Sequence, residues 1–228
     1  QVQKKGKTIQ GLIQGKISKL LKEKVILFGS GRTDAGVHAI EQSAHFDCKN
    51  KIYQIDKFLK SINHFLNKEG VTILKVKKRK INFHSRFSAK MRIYRYVIIN
   101  RLSKPALNEN RGWHIEKKLD LLAMKKGAKK LIGTKDFSTF RASTCRAKSS
   151  IKTMKSVKIS TFKDKIEIEF RSQSFLQKQV RSMVGCLKYV GEKKWSSEKF
   201  EKVIRLKKRT LCAPIAPPQG LYLMKIIY

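Results

Sequence analysis

The sequence predicts an α+β fold of two mixed halves with largely antiparallel sheets. Three observations carry that reading. Hydrophobic residues make up 41% of the 228 positions, so a buried core can form and global disorder is excluded. Helical and strand-like patterns are interleaved, but without the steady alternation of a doubly wound parallel sheet. The mixture met before about residue 85 returns after it at similar size, which divides the chain into residues 1–85 and 86–228. No true repeat and no low-complexity linker interrupts either part.

The elements follow in order. Ile9, Leu12, Ile13, Ile17, Leu20 and Leu21 recur at helical spacing and predict a helix over 8–21. A short apolar run over 25–28 ends in Gly29-Ser30-Gly31, which reads as a strand and a tight loop. A second strand is predicted over 40–46. Ile55, Phe58, Leu59, Ile62, Phe65 and Leu66 form the stripe of an amphipathic helix, and 71–76 alternates like a strand. The stretch 87–100, with Ile93, Tyr94, Tyr96, Val97, Ile98 and Ile99, is strongly β-prone. A helix is predicted over 119–132, then a long polar loop over 133–150. Residues 157–162 and 166–170 read as a hairpin closed around Lys163-Asp164. A helix over 175–190 is predicted to start at a Ser174 cap, with Gln177 completing a capping box. A short helix over 200–206 and a strand over 221–227 close the chain.

Charge narrows the partner class. There are 53 Lys and Arg against 16 Asp and Glu, a formal net charge of +37, and such a surface attracts polyanions. RNA or DNA is the partner this points to. Lys-Lys runs such as Lys125-Lys126 and Lys129-Lys130 also fit ordinary solvated helix faces. An anionic membrane surface would need an amphipathic basic helix with large exposed apolar groups, and no segment demands one. No apolar run approaches the length of a membrane span. Cys48, Cys145, Cys186 and Cys212 are widely spaced and lack a C-x-x-C pair, so neither a zinc site nor a disulfide framework is suggested. Scattered cysteines in a basic chain suit a reducing cytosol.

The segment Gly31-Arg32-Thr33-Asp34-Ala35-Gly36 follows the first predicted strand. Two glycines flank a single carboxylate, which stands two residues from an arginine. By itself the hexamer reads first as a turn, with Asp34 bonded to its own backbone and Arg32 solvated. Its continuation through Val37-His38-Ala39 makes a nine-residue run that resembles the signature of the tRNA pseudouridine synthase A family.

Other islands resemble that family in the same order. Gln1-Val2-Gln3 resembles the tail of its first motif. Phe83-His84-Ser85-Arg86-Phe87-Ser88-Ala89 and Tyr94-Arg95-Tyr96 resemble its second. Gly133 through Arg141, followed by Cys145, resembles a family loop. Ser174-Phe175-Leu176 through Val180-Arg181-Ser182-Met183-Val184-Gly185 resembles its third motif. Ala213-Pro214-Ile215-Ala216-Pro217 and Gly220-Leu221-Tyr222-Leu223 resemble its closing segment. The islands span essentially the whole chain.

The resemblance implies a pseudouridine synthase fold and a homodimeric enzyme. Its substrate would be uridine in the tRNA anticodon stem-loop, at tRNA positions 38 to 40, with no cofactor. It also implies a first strand, carrying Tyr-Asp-Gly and Gly-Trp, that does not precede Gln1 here; its loss is expected to leave a sheet edge unpaired and to lower stability. Asp34 matches the catalytic aspartate, held on the N-terminal half, with the C-terminal half completing the cleft. Arg181 matches the cation that pairs with it, and a cation opposite is what keeps a water-excluded carboxylate charged. Tyr94 matches the tyrosine against the target base, Tyr96 being left to packing. Arg32 matches the arginine that helps expel the target nucleotide from its stack, a step the chemistry requires because a paired uridine hides its reacting atoms. His38 reads as a structural part of the loop. Arg141, Arg146 and Lys148 are candidates for phosphate contact. Whether Asp34 attacks the sugar, attacks the base or promotes elimination is left open.

Three rival classes are weaker. A non-catalytic RNA-binding relative would be marked by loss of Asp34, Tyr94 or Arg181, and all three are present. A basic ribosomal or DNA-binding protein would lack the ordered islands. A metal-dependent nuclease needs clustered acids, and Asp34 has none nearby before Glu41.

Overall fold

The computed structural model describes residues 1–3, 6–107 and 109–228. In chain order the elements are α1 (Ile9–Leu21), β1 (Phe28–Gly29), β2 (His38–Ala39), β3 (Ala44–His45), α2 (Ile55–Leu66), β4 (Met91–Asn100), β5 (Trp113–Ile115), α3 (Leu121–Lys129), β6 (Gly133–Asp136), β7 (Ile151–Phe162), β8 (Lys165–Ser172), α4 (Gln179–Gly191), α5 (Ser197–Arg205) and β9 (Leu221–Ile227). The class is α+β. The chain forms two compact units: Gln1–Arg32 with Glu41–Ala89, and Thr33–Ile40 with Lys90–Tyr228. The expected division placed residues 31–39 wholly in the first half. In the structure Thr33–Ile40 joins the second unit, because β2 hydrogen-bonds in parallel to β9, with His38 opposite Tyr222 and Ala39 opposite Leu223.

In the first unit α1 and α2 close over a core of Ile17, Val25, Leu27, Ile62 and Leu66. Thr8 caps α1 by accepting from the Gly11 amide. The strand expected over 25–28 shrinks to Phe28–Gly29, paired antiparallel with Ala44–His45. Side chains of α1 take up the preceding backbone instead. Ser18 Oγ accepts from the Val25 amide, Gln14 Oε1 accepts from the Leu27 amide, and Gln10 donates to the Leu27 carbonyl. The strand expected over 71–76 is absent; Asn63 clasps Ile73 through both its amide and its carbonyl. Of the strand expected over 40–46 only Ala44–His45 forms, as β3.

The second unit is built on a seven-stranded sheet in the order β2-β9-β4-β8-β7-β6, with β5 also pairing β4. Apart from the parallel β2–β9 and β4–β5 pairs it is antiparallel. The β7–β8 hairpin turns at Lys163, which takes the left-handed conformation (φ 54°). The polar stretch 133–150 was expected to be a loop throughout. Its first residues form β6, because Gly133–Asp136 pairs with Met154–Ile151 of β7. The core includes Tyr96, Ile98, Met124, Leu131, Phe137, Phe140, Met154, Phe170, Met183, Leu187 and Phe200, all under 2% exposed. Helix α4 starts later than expected and without the Ser174–Gln177 box. Lys178 precedes it in the left-handed conformation, and Gln179 reaches back to accept from the Leu176 amide at 2.7 Å. Among the described residues no helix is long and apolar enough to cross a membrane.

Candidate active site

The loop that carries Asp34 hangs from the sheet. Leu223, in β9, pairs with Ala39 on one side and with Tyr94 of β4 on the other. One register therefore places the end of the loop beside the strand that carries Tyr94. The Ile40 amide extends the ladder to the Leu223 carbonyl at 2.8 Å. Within the loop the Val37 amide donates to the Asp34 carbonyl at 3.1 Å, closing a turn. Gly36 makes that turn possible. It has φ +79°, and a Cβ there would stand 3.1 Å from Pro218 Cγ. His38 stacks on Tyr222 (4.7 Å between ring centroids, 23° between planes), and its Nε2 lies 3.0 Å from the Asn110 carbonyl oxygen.

The Asp34 side chain meets Arg181. Nη1 of Arg181 donates to Asp34 Oδ2 at 2.7 Å, while its Nε donates to the Ala216 carbonyl at 2.8 Å. The arginine is 9% exposed, so two acceptors offset its lost hydration. The planar guanidinium reaches both at once. Its helix allows this through close packing. The segment past α5 lies directly against α4, where a Cβ on Gly185 would fall 2.0 Å from the Pro214 carbonyl oxygen. The Ala216 amide in turn donates to the Arg181 carbonyl at 3.1 Å.

Tyr94 sits at an irregular point of the sheet. Between Ile93 and Tyr94 the register against β9 shifts, so that Arg92, Ile93 and Tyr94 are buried in succession. Phe175 packs edge-on to the Tyr94 ring at 5.1 Å. Burial pushes the phenol up to about 12, opposed by the Arg92 cation and reinforced by the negative charge of Asp34. Tyr96 is fully buried. Its hydroxyl donates to the Pro217 carbonyl at 2.8 Å and its ring meets Trp113 edge-on, which makes it a packing residue.

Thus Asp34 and Arg181 meet directly, and Tyr94 lies within reach of the Asp34 charge. Arg32 ends the first segment of the first unit; it is exposed and has no ion pair among the described residues. Of the loop cations, Arg141 turns inward to the Cys145 and Ala147 carbonyls at 2.8 and 2.9 Å and so holds its own loop together. Arg146 and Lys148 form no ion pair among the described residues. No cluster of His, Cys, Asp or Glu able to hold a metal is found among the described residues. Sequence reasoning met Ala216, Gly185 and Phe175 within the motifs but gave none of them a role. Gly185 carried a signal: a glycine four residues after Arg181 lies on the same helix face.

Known proteins are similar to this chain in sequence. The family described as tRNA pseudouridine synthase matches residues 1–88 and 128–228. The chain belongs to the tRNA pseudouridine synthase family. A relative from Pelagibacter ubique is 68% identical over 228 residues, covering 100% of this chain and 93% of the relative. One from Parvibaculum lavamentivorans is 40% identical, again over the whole chain and 92% of the relative. One from Paramagnetospirillum magneticum is 41% identical over the whole chain and 89% of the relative. All three are named tRNA pseudouridine synthase A. In this member of the family, the signature loop, the tyrosine strand and the arginine helix are drawn together by the single ladder β2-β9-β4 and by the segment laid along α4.

Proposed function

We propose that this chain isomerises uridine to pseudouridine in tRNA, with Asp34 as the essential carboxylate. The observation that carries the reading is the Arg181–Asp34 ion pair at 2.7 Å, formed beside the buried Tyr94. The reaction breaks the C1′–N1 bond, turns the uracil and forms C1′–C5, after which the C5 proton leaves. Nothing is oxidised and no external group enters, so a placed carboxylate and a shaped pocket suffice. Arg181 holds the carboxylate in place through their 2.7 Å contact. Tyr94 stays a neutral phenol and offers a ring face to the base, and the exposed Arg32 is suited to filling the space a flipped nucleotide leaves.

The same reading assigns the uridines at positions 38 to 40 of the anticodon stem-loop as targets and a homodimer as the working form. It places the enzyme in the cytoplasm with its substrate. Net charge +37 supports phosphate contacts that hold the tRNA without reading its sequence.

The test is tritium release from tRNA labelled at uridine C5, comparing the parent with Asp34→Asn. Release by the parent, none by the variant and equal tRNA affinity are expected. Binding without release by the parent would sink the reading in favour of an RNA-binding protein. Labelled transcripts with single uridines at each stem-loop position test the site preference, and sedimentation tests the dimer.

A further inference from the structure

All four cysteines are free, and two of them are neighbours. Cys186 in α4 and Cys212, which directly follows the 3-10 turn Arg209–Leu211, bring their Sγ atoms to 3.5 Å. Their sequence spacing gave no hint of this. We propose that Cys186 and Cys212 are an oxidation site, a dithiol that closes to an intramolecular disulfide on meeting a peroxide. We propose further that the new bond reaches the catalytic pair through residues 212–216.

The two thiols divide the work. Cys212 is partly exposed, and the hydrogen bond from Cys186, with the nearby Arg209 cation, favours its thiolate. Cys186 is fully buried, and its bond to Cys212, with burial, keeps it a thiol. Cys212 therefore attacks first. Its sulfur takes one oxygen of hydrogen peroxide, the O–O bond breaks, and the departing hydroxide picks up a proton to become water. The Cys186 sulfur then attacks the sulfenic sulfur and expels a second water, which carries away its thiol proton. Two thiols and one hydrogen peroxide give one disulfide and two waters.

The bond has consequences for Arg181. A disulfide is about 2.05 Å long, so the sulfur atoms must approach by about 1.5 Å. The segment that moves has little slack. Pro214 already lies against Gly185, and Ala216 is tied to Arg181 through both its amide and its carbonyl. A shift at Cys212 is passed along four residues to the carbonyl that holds the guanidinium opposite Asp34. Misplacement on the ångström scale at a reacting centre lowers rates by up to about 100-fold, and a fall of roughly 10-fold is expected here.

The experiment treats the full chain with hydrogen peroxide and reads three quantities: titratable thiols, joined peptides in a digest, and tritium release from labelled tRNA. The chain is used unaltered and also as Cys48→Ser/Cys145→Ser, so that a misfolded double variant does not decide the outcome. Expected are loss of two thiols, a Cys186–Cys212 linked peptide, a roughly 10-fold slower reaction, and recovery with dithiothreitol. Cys212→Ala should keep its rate after peroxide. Thiols that survive treatment, or Cys212 oxidised alone to a sulfinic acid, would overturn the site. A disulfide that leaves the rate unchanged would overturn its link to Arg181. The rate measurement rests on the isomerase reading; an untreated chain that releases no tritium defeats that reading and leaves the thiol result standing.

Discussion

Arg181 and Asp34, 147 positions apart in sequence, are joined by a 2.7 Å ion pair, and the same guanidinium holds the Ala216 carbonyl at 2.8 Å. Arg181→Lys offers one ammonium in place of a planar fork, so it cannot serve both acceptors in this geometry. Turnover is expected to fall about 10- to 100-fold with tRNA affinity kept. Arg181→Met, which leaves both acceptors unpaired, should also lower stability by roughly 1–3 kcal/mol. Single-turnover tritium release and urea unfolding measure the two effects. Full activity in Arg181→Lys would remove the fork from the account.

Tyr94 gives a pH dependence with a definite sign. Its phenol is held neutral up to about 12 by burial, against about 10 in an unfolded chain. Between those values the unfolded state has lost the proton and the folded state keeps it, so the folded state binds more protons and stability falls as pH rises. The contribution is complete below pH 10 and is lost toward pH 12, by roughly 2–3 kcal/mol. The burial of Tyr96 acts in the same direction. Urea unfolding at pH 9 and pH 11 should differ by about half of that loss, since pH 11 lies midway through the window, and the difference should be smaller in Tyr94→Phe. An equal drop in both proteins would show that Tyr94 does not supply it.

Gly185 is a contact point between main chains. A methyl group there meets the Pro214 carbonyl oxygen at 2.0 Å, so Gly185→Ala must push the 213–216 segment off α4. The expected cost is about 1–3 kcal/mol of stability, together with slower turnover because Ala216 moves with the segment. Thermal melting and tritium release test this pair of effects. A variant that melts like the parent would mean the segment yields freely.

His38 fixes the loop from its far end by stacking on Tyr222 and by its bond to Asn110. His38→Ala should slow turnover while leaving the tRNA dissociation constant within about 2-fold, since ring stacking contributes on the order of 1 kcal/mol to the folded loop. His38→Phe retains the ring and should recover part of the rate. Equal rates in the alanine and phenylalanine variants would argue against positioning by stacking.

Much of this protein was legible from local pattern. The stripe from Ile55 to Leu66, the β-prone run ending at Asn100 and the hairpin around Lys163-Asp164 appear where periodicity and turn chemistry put them, because each rests on neighbours a few residues away. Local signals misled where a side chain competes with the backbone ladder. Gln14, Ser18 and Asn63 satisfy stretches that read as strands, and Gln179 replaces the Ser174 cap. The signature loop named Asp34 and Arg32, and the ordered islands named Tyr94 and Arg181. By itself the sequence thus determined the class of fold and the family, and it named the residues proposed to carry the chemistry. Only the tertiary structure decided that the loop belongs with the second unit, that Ala216 and Gly185 hold the arginine, and that Cys186 touches Cys212. Those relations depend on which main chains approach across many residues, and approach is fixed by packing and strand register rather than by the spacing of residues along the chain.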